Sequence, residues 1–128
     1  TDKGSALAAS DVIPCIAVSK GTMILNAGIE VDTLQTAATA LTLDLGTGVD
    51  PDVFVDGFTA TSAAAGTHAQ NAAAFQPVMA VADDNIDLKI ATLTGTLSTG
   101  KYRVWAVLMD CTDLGSDMSA NEVARDNA

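Results

Sequence analysis

The chain has 128 residues, enough for one domain with its own core. Sixteen acids against six bases give a net charge of −10, which excludes a binder of phosphate backbones, because that task needs clustered Lys and Arg. The longest apolar run, Val104 to Met109, falls far short of the roughly twenty residues that cross a bilayer.

Residues 1–10 are small and polar without periodicity and read as a flexible N-terminal arm. No basic region leads there into an apolar stretch, so no secretory signal is expected, and the absent initiator Met suggests ordinary processing or trimming. Asp11 to Ser19 is the first strand, placed at an edge or bulged because Pro14 cannot donate to a ladder. Lys20-Gly21 is a turn. Thr22 to Leu25 is a short apolar strand that Asn26-Ala27-Gly28 closes, and Ile29 to Leu34 alternates as another.

Ala40 to Leu45 alternates Leu41, Leu43 and Leu45 against Thr42 and Asp44, then breaks at Gly46-Thr47-Gly48. Val53 to Ser62 reads as a strand kinked at Gly57. Ala63 to Ala74 reads as a long surface loop, and Phe75 to Ala82 as a strand interrupted by Pro77. Asp83-Asp84-Asn85 is a turn. Ile86 to Ile90 has one wet and one dry face. Lys101 to Asp110 starts the same way and becomes apolar on both faces, so it expects a neighbour. The gap from Thr94 to Gly100 is short and turn-rich, which predicts that these last two strands lie side by side. After Cys111 the chain is an acidic tail, 113–128, in which Ser119-Ala120-Asn121-Glu122 matches a capping box. The sum is an all-β fold: an antiparallel β-sandwich or jelly-roll-like barrel of seven or eight strands over 11–112.

Chemistry is thin. The acids from Asp44 through Asp50 and Asp52 to Asp56 surround two glycines and suggest a calcium loop. The spacing does not match the twelve-residue calcium pattern, the terminal Glu is missing, and a solvated turn fits better. Asp83, Asp84 and Asp87 read similarly. Gly46-Thr47-Gly48 lacks the Lys and helix of a phosphate loop. His68 is the single histidine and lies in the loop expected to be loosest, which suits neither zinc nor nucleophilic catalysis. Cys15 and Cys111 sit in apolar runs and read as buried free thiols; they can pair only if the first and last strands are neighbours. Tyr102 and Trp105 fall on opposite strand faces, and Trp105 reads as a core anchor. Lys101 and Arg103 share a face, with Lys89 on an adjacent strand, as a solvated face or a patch for an acidic partner. No catalytic, cofactor-binding or metal-ligating residue is assigned, and the chain reads as no enzyme. Scarce aromatics leave the core to many small contacts, which favours membership of an oligomer.

The series Leu43-Asp44-Leu45-Gly46-Thr47-Gly48, Asp52-Val53-Phe54-Val55-Asp56-Gly57, Ala82-Asp83-Asp84-Asn85-Ile86-Asp87-Leu88 and Gly100-Lys101-Tyr102-Arg103-Val104-Trp105-Ala106 resembles small virion proteins of tailed bacteriophages, the head decoration or cement proteins. The resemblance spans residues 40 to 110. It implies a protein on the outer capsid surface, assembled in the host cytoplasm, that joins major capsid subunits against internal DNA pressure. It also implies a homo-oligomer, a trimer before a dimer. The partners are then the major capsid protein and itself, with no nucleic acid, membrane or cofactor. The alternative is a carbohydrate- or host-attachment module of a virion fibre, using Trp105 or Asp50.

Overall fold

A computed structural model describes residues 6–71 and 76–112. Among the described residues there are eight strands: β1 (Val12–Val18), β2 (Thr22–Thr33), β3 (Ala40–Thr47), β4 (Val55–Thr59), β5 (His68–Gln70), β6 (Val78–Met79), β7 (Asp84–Thr94) and β8 (Lys101–Asp110). All pairings are antiparallel. One sheet, sheet A, has the order β1-β7-β3-β4. In the other, sheet B, β8 follows β2 along its length, while β5 and β6 share the opposite side of β2. The result is the expected all-β sandwich.

Alternation builds the core. Leu41, Leu43 and Leu45 of β3 and Ile86, Leu88 and Ile90 of β7 point the same way in sheet A, with Leu43 opposite Ile90 and Leu45 opposite Leu88. They meet Ile24, Ala27 and Ile29 of sheet B. Ile29, Leu41, Leu45 and Ile86 are wholly enclosed. Each such side chain contributes about 1.5–3 kcal/mol through burial.

Several expectations are corrected here. First, Asn26-Ala27-Gly28 does not end a strand, because β2 runs through it. The chain absorbs the irregularity as a bulge at Leu25, between the pairs Ile24–Leu108 and Asn26–Val107. Gly28 serves packing across the sheet: a Cβ there would stand 2.5 Å from Trp105 Cζ2. Second, β7 and β8 are not side by side. The turn-rich segment carries the chain from sheet A to sheet B, with Gly95 at φ 88° and Gly100 at φ 98°. It packs against the β2–β3 connection, which crosses between the sheets in the opposite direction. Thr36 N–H donates to Thr99 Oγ1 at 2.9 Å, and Thr39 N–H to Thr94 O at 2.9 Å. The segment after Ala63 also holds β5, stitched to β2 at Gly28, Ile29 and Glu30, where a plain loop was expected. Strand β6 covers only Val78–Met79, and Asp84 already belongs to β7.

Leu7 packs on the core, and Ser10 N–H donates to Ile90 O at 2.7 Å. The tail 113–128, with its capping-box residues, lies outside the described residues.

Tyr102 faces the core from β8, and its buried hydroxyl has no hydrogen-bond partner among the described residues. An unmatched buried hydroxyl costs about 1 kcal/mol or more. Tyr102→Phe is therefore expected to gain about 1 kcal/mol in urea unfolding. Burial also lifts the phenol above its ordinary 10.0, so the folded state holds the proton more tightly than the unfolded chain. That contribution is complete below pH 10.0 and falls as pH climbs through the folded value. The Phe variant is expected to lose this part of the alkaline decline.

Candidate interaction surface

The acidic residues are dispersed by the fold. Asp44 is buried on sheet A. Its Oδ1 accepts from Gly57 N–H at 2.9 Å, and Lys89 Nζ lies 3.8 Å from Oδ2. Gly57 has φ 73°, the left-handed conformation that turns its N–H toward the carboxylate. Asp50, Asp52 and Asp56 are exposed. A hydrogen bond that the protonated Asp52 carboxyl donates to the Asp50 carboxylate, with smaller contributions from desolvation and the charges of Asp50, Asp56 and Asp44, holds Asp52 above the usual carboxylate range. Asp84 is occupied by the backbone, accepting from Gly48 N–H at 3.2 Å and Asn85 N–H at 2.8 Å. Among the described residues no three His, Cys, Asp or Glu side chains converge on a point that could hold a metal.

Both cysteines are free thiols. Cys15 is exposed, because it is the extra residue of a bulge between Pro14 and Ile16. Cys111 is half-buried beyond β8. The expectation of a buried Cys15 is therefore corrected. Lys89 also changes place: it belongs to sheet A, away from Lys101 and Arg103.

The outer face of sheet B gathers the residues that remain. Directly paired residues of neighbouring strands share a face, so register reads across it in ranks. His68, Glu30 and Arg103 form the first rank. Arg103 bridges Glu30 Oε2 at 3.2 Å and Asp32 Oδ1 at 3.4 Å. Gln70, Gly28 and Trp105 form the second, with the indole over the glycine. Asn26 and Val107 form the third. Met79, Met23 and Met109 form the last, three methionines at one register on β6, β2 and β8. The face thus grades from ionic to apolar along the strands.

Trp105 belongs to this face and not to the core. Val104 and Ala106 on either side of it pack inward, as do Ala27 and Ile29 around Gly28. Its expected role as a core anchor is corrected, and it is half-buried. Beside it Val107 is 48%, Met109 46% and Met79 40% exposed. Sequence reading flagged β8 as needing a neighbour, but the methionine rank escaped it, since positions 23, 79 and 109 align only through register.

Two of the clefts lined by described residues flank the sheets. A 430 Å³ groove at one end of the sandwich is lined by Val18, Ile24, Val49, Val81, Asp83 and Asp84 among others. A wide 750 Å³ depression runs from Asp52 along β4 to Gln70.

No protein-family model and no curated protein matches the chain. Among solved structures it is similar to a chain from the capsid of Ralstonia phage GP4. The TM-score is 0.52 and the identity 23%, over 80% of this chain and 73% of that one. At that identity the likeness is one of fold.

Proposed function

We propose that this chain is a non-enzymatic virion structural protein that binds the outer surface of a phage capsid and stabilises the shell. The observation that carries the reading is the fold shared with a capsid chain across most of this one. The outer face of sheet B supports it by offering a contact surface of graded polarity. A virion surface location and the major capsid protein as partner belong to the same proposal.

The physical mechanism is mass action. A protein that binds assembled shell and not loose subunits stabilises the shell by RT ln(1 + [L]/Kd) at each site. Repetition over a lattice multiplies the sum. Heads assembled without the chain are expected to release DNA at a lower temperature, and added chain is expected to restore the higher one. Equal release temperatures with and without bound chain would overturn the stabilising role. A fibre-borne attachment module is the second reading, favoured by the half-buried Trp105 on an outward face. It expects glycan binding that Trp105→Ala abolishes and no attachment to shells.

A further inference from the structure

Asp56-Gly57 is the single Asp-Gly or Asn-Gly pair in the chain. In such a pair glycine has no side chain to shield its amide nitrogen, which can attack the aspartate side chain. Gly57 N then bonds to Asp56 Cγ, the Cγ–OH bond breaks, water leaves with the amide proton, and a succinimide ring closes. A second water opens the ring at either carbonyl. Opening at the main-chain carbonyl leaves isoaspartate, whose backbone runs through Cβ and Cγ. One water is lost and one regained, so the mass is unchanged.

Packing does not prevent this. Asp56 and Gly57 are both exposed, and a Cβ at Gly57 would meet nothing within 4 Å. The glycine is there for its φ of 73°. The register shows what restrains it. Leu43 pairs with Phe58 and Leu45 with Val55, so Asp44 alone faces both Asp56 and Gly57 across a bulge. Gly57 N–H donates to Asp44 Oδ1 at 2.9 Å. Asp44 is 6% exposed, and its other oxygen lies 3.8 Å from Lys89 Nζ. The acceptor is thus charged, enclosed and held from behind, which makes the hydrogen bond one of the stronger kinds.

We propose that Asp56-Gly57 is a latent site of isoaspartate formation and that Asp44 restrains it from the neighbouring strand. The nitrogen must give up its proton to attack. The Asp44 carboxylate opposes that step by binding the N–H and by repelling the amide anion that its loss would leave. Without the restraint, isoaspartate adds a main-chain atom to β4 between Val55 and Phe58, both of which pack on the core.

Incubation of the full chain at neutral pH tests this, with isoaspartate at position 56 counted by enzymatic methylation and peptide chromatography. The folded parent is expected to form it about tenfold or more slowly than a free peptide of residues 53–59. Asp44→Leu with Lys89→Met removes the acceptor and its counter-charge together, and is expected to accelerate the reaction about tenfold or more. Asp44→Asn keeps an oxygen acceptor and Lys89→Met keeps the carboxylate, so both are expected to stay close to the parent. Urea unfolding shows whether the double variant is folded. Slow exchange of the Gly57 amide proton in the parent is the expected result that needs no variant. A parent as fast as the peptide, a folded double variant as slow as the parent, or Gly57 exchange at the free-peptide rate would overturn the restraint. Asp44→Asn as fast as the double variant would overturn the hydrogen bond as its cause. No shell enters the experiment, so its failure leaves the shell-binding proposal standing.

Discussion

Gln35→Leu is expected to destabilise the protein by about 3 kcal/mol, a fall of roughly 10 °C in Tm for a chain of this size. Gln35 is 2% exposed and one of two buried polar side chains among the described residues. An amide side chain offers two N–H donors and two lone pairs, and here all four are used. Nε2 donates to Ala38 O at 3.1 Å and to Thr61 O. Oε1 accepts from Ala37 N–H at 3.1 Å and Ala38 N–H at 2.8 Å. Leu has similar bulk but no polar atoms, so four backbone groups lose their partner together. Each fully buried one costs about 1–3 kcal/mol, and the partly buried ones recover some of this from water. Urea unfolding measures the loss; a change below about 1 kcal/mol would show the network to be dispensable. The damage should spread to the β7–β8 crossing, because Gly100 sits tightly against Gln35, where a Cβ would come 2.7 Å from the Gln35 Cβ. Amide exchange of Thr99 and Lys101 is expected to quicken in the variant.

That crossing marks where sequence reading stopped. The strands themselves were legible because period-two alternation is a local property: Leu41-Leu43-Leu45 and Ile86-Leu88-Ile90 declare one dry face without reference to any partner. Who pairs with whom is not local. Six residues between Thr94 and Lys101 suit either a hairpin or a step to the other sheet. The choice is settled by the buried amide of Gln35, sixty residues away, and by Thr36 meeting Thr99. The acidic loop shows the same limit. Asp44 and Asp52 look alike in sequence, yet one is held by Lys89 and Gly57 and the other lies in solvent. The interaction surface was half legible. The double-sided apolarity of β8 marked it as a strand that expects a neighbour, and its outward residues do lie exposed on this face. The methionine rank and the position of Trp105 needed the register of three strands.

Gly28→Ala is expected to disturb that surface most directly. Read locally, Asn26-Ala27-Gly28 is a turn, but the glycine lies in mid-strand, and its missing side chain is what lets the indole settle. A single methyl group there would meet Trp105 Cζ2 at 2.5 Å, Cε2 at 2.6 Å and the Ala69 carbonyl oxygen at 2.7 Å. Contacts that close force either the indole off the sheet or β5 away from β2. Overpacking of this kind costs about 1–3 kcal/mol. Trp105 is the single tryptophan, so its fluorescence reports the displacement without interference. The emission is expected to shift to the red as the ring moves into water, and attachment to shells to weaken with it. Gly28→Ala combined with Trp105→Leu separates the two routes. If the clash is with the indole, the pair is expected to recover much of the stability lost by Gly28→Ala, since the two substitutions share one contact. If the double variant is as unstable as the sum of the singles, the strain lies between β2 and β5, and the indole does not explain the glycine.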